Sequence, residues 1–278
     1  MRHTTFREKR VGLGLTGRVC VIERGLEAGR VPRAGAAFMA LLVTLGLPLL
    51  AACTTGPARG PLDTPRATLD VPPEASRPEI RVPEGPPPTP LETGETALFN
   101  GVDLSGWREM EAYRSGDVSA VAVVDGCLVL EAGSPQTGIT WAGDFPQNNY
   151  EVRLEASRLS GSDFFCGMTF PVGDAYCTLI VGGWGGMVVG LSNVDGLSAV
   201  ENLTTLGMQF DMNRWYGIRL RVDDDGIGVW IDGEEVIDLQ RAGHGFEIWP
   251  EQHAARPFGI NTWFTTAALR DIRLRQVE

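Results

Sequence analysis

From residue 150 the chain alternates between apolar and polar side chains: Tyr150, Val152, Leu154 and Ala156 interleave with Glu151, Arg153 and Glu155. A period of two is the mark of a strand that buries one face and wets the other. Residues 215–222 and 269–274 carry similar alternation. Asp-Gly pairs at 125–126, 225–226 and 232–233 each stand between apolar runs. Both residue types tolerate positive φ, which makes the pair the strongest short-range sign of a hairpin. No apolar stripe at helical spacing runs beyond about ten residues without meeting Gly or Pro. About twelve short strands in roughly 180 residues predict an all-β sandwich or jelly roll.

The first part of the chain has a different texture. Residues 34–50 are uncharged and apolar, follow Arg24, Arg30 and Arg33, and end in Leu50-Ala51-Ala52-Cys53. A basic segment followed by an apolar run is the pattern of an export signal. Gly46 and Pro48 weaken a permanent membrane span, and about 17 residues is short for one. The ending resembles the bacterial lipobox, in which cleavage before the cysteine precedes its lipidation. Residues 1–52 are therefore expected to be a lipoprotein signal peptide, with Val31 open as an alternative start, and Cys53 the lipidated N-terminus that holds the protein to a membrane. Thr54 follows, not the Asp that often retains lipoproteins at the inner membrane, so outer-membrane sorting is expected in a two-membrane cell. Eleven prolines between Pro57 and Pro90 favour extended, unpacked chain. Residues 53–94 read as the lipidated cysteine and a disordered tether, and 95–278 as the folded domain.

Composition narrows the partners. Seven Trp and eleven Phe supply a core, and the net charge is −11. Such a chain repels phosphate backbones, so no nucleic acid is expected as a partner. Of 24 basic residues only Lys9 is a lysine, which excludes amine-based covalent catalysis downstream of it. After processing, Cys127, Cys166 and Cys177 remain. If the hairpin is symmetric about residues 171–174, Cys166 and Cys177 face each other and a disulfide is open to them; two buried thiols are the other reading. No CxxC or His-x-His spacing occurs, so a zinc site is not expected. The sequence calls for no cofactor and leaves a divalent metal open.

The run Leu98-Phe99-Asn100-Gly101-Val102-Asp103-Leu104-Ser105-Gly106-Trp107 resembles the opening motif of the bacterial 3-keto-disaccharide hydrolase domain family. Trp215-Tyr216-Gly217-Ile218-Arg219, Val229-Trp230-Ile231-Asp232-Gly233 and 268–274 extend the resemblance to nearly all of 95–278. It implies a concanavalin- or laminin-G-like jelly roll that cleaves 3-keto-glycosides, with carbohydrate as partner. The late family histidine is absent, where Gly259-Ile260-Asn261-Thr262-Trp263 stands, marking a divergent subgroup. The opening motif itself reads as structural: a turn at Asn100-Gly101, Leu104 in the core and Trp107 closing one end.

Ketone chemistry requires a base beside the sugar, an acid for the leaving oxygen and a donor or metal for the enolate. Asp163 and Glu201 are the catalytic candidates, although a turn-forming Asp and an exposed loop Glu are their ordinary readings. Trp184, in Gly182-Gly183-Trp184-Gly185-Gly186, reads equally as a sugar platform or as an indole packed inward on a tight connection. Trp263 is a second platform or a core residue, and Asn202 a substrate-binding neighbour of Glu201. His244 and His253 read as solvated, and Asp223-Asp224-Asp225-Gly226 as a hairpin tip in preference to a calcium loop. The rival to an enzyme is a non-catalytic carbohydrate-binding module. An enzyme places a carboxylate or histidine beside the aromatic platform in a deep cleft, whereas a module offers a shallow aromatic groove.

Overall fold

The computed structural model describes residues 79–111 and 120–277, all within one compact unit, Val71–Glu278. The leader, Cys53 and the first part of the tether lie outside the described residues. Alternation and turn chemistry give fifteen strands among those described: β1 (Glu95–Ala97), β2 (Trp107–Glu109), β3 (Val121–Val124), β4 (Cys127–Leu130), β5 (Gln136–Trp141), β6 (Tyr150–Gly161), β7 (Cys166–Val172) and β8 (Ala175–Gly183). Then follow β9 (Val188–Ser192), β10 (Leu206–Gly207), β11 (Trp215–Val222), β12 (Gly226–Ile231), β13 (Glu234–Gln240), a 3-10 helix (Pro250–Ala255), β14 (Gly259–Trp263) and β15 (Thr265–Gln276).

The strands form two antiparallel sheets. The first runs β13-β12-β11-β6-β15-β4-β3, with β1 also paired to β15; the second runs β10-β9-β8-β7-β14-β5-β2. In β6, Tyr150, Val152, Leu154 and Ala156 face the shared core, as the alternation predicts. From the second sheet, Cys166, Met168 and Phe170 of β7 and Cys177, Leu179 and Val181 of β8 meet them. The intervening Thr169, Thr178 and Ile180 therefore turn to the second sheet's outer face.

Two of the three Asp-Gly pairs make the expected tight hairpins. Asp125 and Gly126 have φ of 49° and 75°, Asp232 and Gly233 of 52° and 83°, with strand pairing closing directly on each side. At 225–226 the geometry differs. Gly226 already belongs to β12, and the Asp223 carboxylate caps the turn by accepting from the Asp225 and Gly226 N–H groups at 3.1 and 2.9 Å. The hairpin-tip reading of this acidic run holds.

The symmetric hairpin assumed for the cysteines is corrected. The turn is Gly173-Asp174, so Cys166 faces Val181 and Cys177 faces Phe170. Both thiols are free and fully buried, and burial pushes each up to about 12.

The later part of the expected tether also differs. Residues 80–90 lie against the first sheet: Trp215 Nε1 donates to the Pro83 carbonyl at 3.0 Å, Arg270 to Pro86 at 2.9 Å and Arg273 to Pro90 at 3.0 Å and to Thr89. Proline removes a donor but keeps its carbonyl, and these side chains use that acceptor. A Cβ on Gly85 would stand 2.7 Å from both Trp215 and Arg270, so the strap lies this close only where there is no side chain.

Under its end, Arg273 pairs with Glu95 at 2.9 Å, the two side chains 4% and 1% exposed. Burial alone would raise the Glu95 carboxyl, but the Glu92 N–H, Arg273 and Arg153 outweigh it and hold it below its ordinary 4.5. A depressed carboxyl adds stability above the unfolded value and loses it as pH falls through the folded one. Glu95→Gln should therefore flatten the decline in stability below pH 4.5, read as urea midpoints across a pH series. An unchanged acid limb would contradict the pairing.

Candidate functional site

On the outer face of the second sheet a cleft of about 440 Å³ opens, within the range of small-ligand sites. Thr178 and Ile180 of β8 and Ser192 of β9 form its floor; Asp163, Phe164, Trp184, Ser198, Val200, Glu201, Trp249, Glu251, Gln252 and Trp263 surround it. Four of the five substrate-facing candidates from the sequence thus meet in one place.

Trp184 rides the turn between β8 and β9, with φ of 47°, between Gly182, Gly185 and Gly186 at 79°, 84° and 97°. Left-handed backbone explains the glycines; the buried Arg158 explains why they crowd one indole. Arg158 Nη2 donates to the Gly182 and Gly186 carbonyls at 3.4 and 2.9 Å, and a Cβ on Gly186 would stand 2.8 Å from Nη1. The connection is tight, as one reading had it, yet Trp184 is 46% exposed and faces the cleft. Burial pushes the Arg158 guanidinium below its ordinary value, and the nearby charge of Asp163 opposes that.

Asp163 follows β6. Its N–H donates to Thr265 Oγ1 at 3.1 Å and its Oδ1 accepts from the Phe164 N–H at 2.8 Å, while no described residue bonds Oδ2. The turn-forming role and the cleft-facing position coexist in one carboxylate. Trp263 ends β14 half-buried, stacked on Phe164 at 6.1 Å. Glu201 is exposed at the rim, accepting from Ser198 Oγ at 2.6 Å.

Asn202 is the correction. It is 8% exposed, does not line the cleft, and spends its amide on its own loop. Nδ2 donates to the carbonyls of Leu191, Ser198 and Leu197 at 2.7, 2.9 and 3.1 Å, and Oδ1 accepts from Thr204 at 2.9 and 2.6 Å. Every polar valence is satisfied by the chain, so Asn202 shapes the wall that carries Ser198 and Glu201 and has nothing left for a ligand.

The wall formed by Trp249, Glu251 and Gln252 was missed, because a 3-10 turn has no hydrophobic period to read; Trp249 before Pro250 was the only signal. Neither His244 nor His253 lines the cleft. His244 Nδ1 meets Asp195 Oδ2 at 2.6 Å, and Asp195 N donates to the Gly245 carbonyl at 2.9 Å. The Gly245 N–H, then His244, holds the Asp195 carboxyl below its ordinary value. These contacts join the loop bearing Glu201 to the loop bearing Trp249. Among the described residues no cluster of three or more His, Cys, Asp or Glu is placed to hold a metal.

The family described as the 3-keto-alpha-glucoside-1,2-lyase-like domain matches residues 94–275. The chain belongs to this family. Its match covers both sheets and every residue of the cleft. No curated protein matches the chain. Among solved structures it is similar to a Bacillus subtilis protein of unknown function with a galectin-like fold, at 13% identity and TM-score 0.46, over 66% of this chain and 94% of that one. It is also similar to the Bacillus subtilis carbohydrate-binding module CBM66, at 13% identity and TM-score 0.41, over 62% and 96%. A third is SCLam, a non-specific endo-β-1,3(4)-glucanase of family GH16, at 12% identity and TM-score 0.47, over 73% and 98%. Membership of the family makes this a 3-keto-alpha-glucoside-1,2-lyase-like domain.

Proposed function

We propose that this protein is an envelope-anchored lyase or hydrolase of 3-keto-glycosides, with its chemistry in the cleft between Trp184, Trp249 and Trp263. The observation that carries the reading is Asp163 Oδ2, an unbonded carboxylate oxygen beside aromatic platforms in a cleft of sugar-sized volume. Aromatic faces take the apolar faces of a sugar ring, and the cleft's polar groups fix its orientation.

The C3 ketone acidifies the C2 proton. Asp163 removes it, the electron pair moves toward C3 oxygen, and collapse of the enolate breaks the C1–O bond. Exposed Glu201 at the rim protonates the departing oxygen. Asp163 then returns its proton to C2 while water adds its hydroxyl to C1 and gives its remaining proton to Glu201, so the net reaction is hydrolysis and both carboxyls are restored. Incubating purified protein with a 3-keto-glucoside should release free sugar at a rate proportional to protein concentration. Retention on a polysaccharide column without release would favour the binding-module reading, which the exposed faces of Trp184 and Trp249, 46% and 45%, also fit.

Anchoring belongs to the same proposal and rests on Leu50-Ala51-Ala52-Cys53. Expressed in a bacterial host with labelled palmitate, the wild type should carry label and sediment with membranes, while Cys53→Ala should carry none. Label retained by Cys53→Ala would remove the anchor from the account.

A further inference from the structure

We propose that Gln252 is a catalytic residue of this cleft, its side-chain amide donating to the substrate's C3 oxygen and holding the negative charge that gathers there as the C2 proton leaves. The inference rests on the 3-keto-glycoside reading above and assigns the part that reading left open, the enolate's partner.

Gln252 lines the cleft yet is only 4% exposed. Its Oε1 accepts from Thr169 Oγ1 at 3.4 Å, and Thr169 Oγ1 lies 2.9 Å from Thr178 Oγ1. With Thr178 donating to Thr169 Oγ1, the Thr169 hydroxyl hydrogen is left for Oε1, so the carbonyl end is spent and the NH2 end remains. No described residue accepts from Nε2. With Oε1 held by Thr169, the Nε2 hydrogens remain for a group bound in the cleft that Gln252 lines. The other small polar side chains here are committed: Ser192 donates to Asn193 Oδ1 at 2.8 Å and Ser198 to Glu201 at 2.6 Å. Of the carboxyl groups, Asp163 is taken up by the C2 proton and Glu201 by the leaving oxygen.

The amide is also held still. Gln136 Nε2 donates to the Glu251 carbonyl at 2.9 Å and Thr140 Oγ1 to the Ala254 carbonyl at 2.7 Å, clamping the 3-10 helix onto β5 on both sides of Gln252. A donor fixed before charge develops stabilises that charge without reorganising, which is the basis of oxyanion-type catalysis. In the first step the C2–H bond breaks, its proton goes to Asp163, and its electron pair forms C2=C3 as the C3 oxygen becomes an oxyanion facing Nε2. In the second step C3=O reforms, C1=C2 forms, and the C1–O pair leaves and takes the Glu201 proton.

The test is deuterium uptake at C2 of a 3-keto-glucoside in D2O, followed by proton NMR together with sugar release. Gln252→Glu keeps the Thr169 bond and removes the donor; Gln252→Met keeps the volume and removes both polar ends. Each should slow exchange and release together by about a hundredfold, chiefly in kcat and much less in KM. Thr169→Val, which frees the amide to turn, should lose about tenfold in kcat and stands as the readout if the Gln252 variants fail to fold. Exchange within about twofold of wild type in the folded variants overturns the assignment while leaving the lyase reading intact. Absence of both exchange and release in the wild type overturns the lyase reading itself.

Discussion

Asp163→Asn protein is expected to fold normally and to release sugar from a 3-keto-glucoside about a hundred to ten thousand times more slowly than wild type. The substitution is isosteric and keeps the Oδ1 acceptor that caps the Phe164 N–H. It replaces only the unbonded oxygen, the one able to take a proton from the sugar. KM should change little, because stacking on Trp184 and Trp263 survives. A variant with unchanged kcat would remove Asp163 from the chemistry and leave it as a turn residue.

The largest structural effect should come from Trp107→Ala, at about 3–5 kcal/mol of unfolding free energy. Trp107 is 6% exposed, donates from Nε1 to the Leu98 carbonyl at 2.8 Å, and meets the rings of Trp141 and Phe258 at 5.2 and 6.0 Å. Truncation leaves a cavity and orphans a buried carbonyl. Trp107→Phe, which keeps a ring and loses the hydrogen bond, should lose a smaller part of that, about 1–2 kcal/mol. Urea unfolding of the two variants separates the terms. A Trp107→Ala loss below about 1 kcal/mol would mean that this end of the sandwich is held by something else.

The motif around Trp107 shows what the sequence makes legible. Asn100 Oδ1 accepts from the Val102 and Asp103 N–H groups at 2.8 and 3.0 Å, and Leu104 packs against the core. Local turn chemistry and a period of two are written in neighbouring residues and can be read there. The hairpins at 125–126 and 232–233 belong to the same class. The turn at 225–226 does not, because the Asp223 side chain two residues upstream rewrote it.

Misreadings came where a residue's partner is distant or its own polarity misleads. Asn202 beside Glu201 looked like a ligand-facing pair, yet its amide staples a loop to β9. The register of Cys166 and Cys177 turned on which two residues form the bend. The proline-rich stretch before residue 94 read as unstructured by composition, and no local pattern announces that Trp215, Arg270 and Arg273 will grip its carbonyls. For the cleft, Trp184 was legible because four glycines around one indole demand a reason; Gln252 was not, because its role depends on Thr169, far away in sequence.

The most direct measurement is a crystal of the Asp163→Asn protein soaked with a 3-keto-glucoside. The sugar ring should lie in the cleft on the second sheet's outer face, against an indole, with its C2 beside residue 163 and its C3 oxygen within hydrogen-bonding distance of Gln252 Nε2. Sugar bound on the opposite sheet, or in the cleft with its C2 turned away from residue 163, would contradict the account.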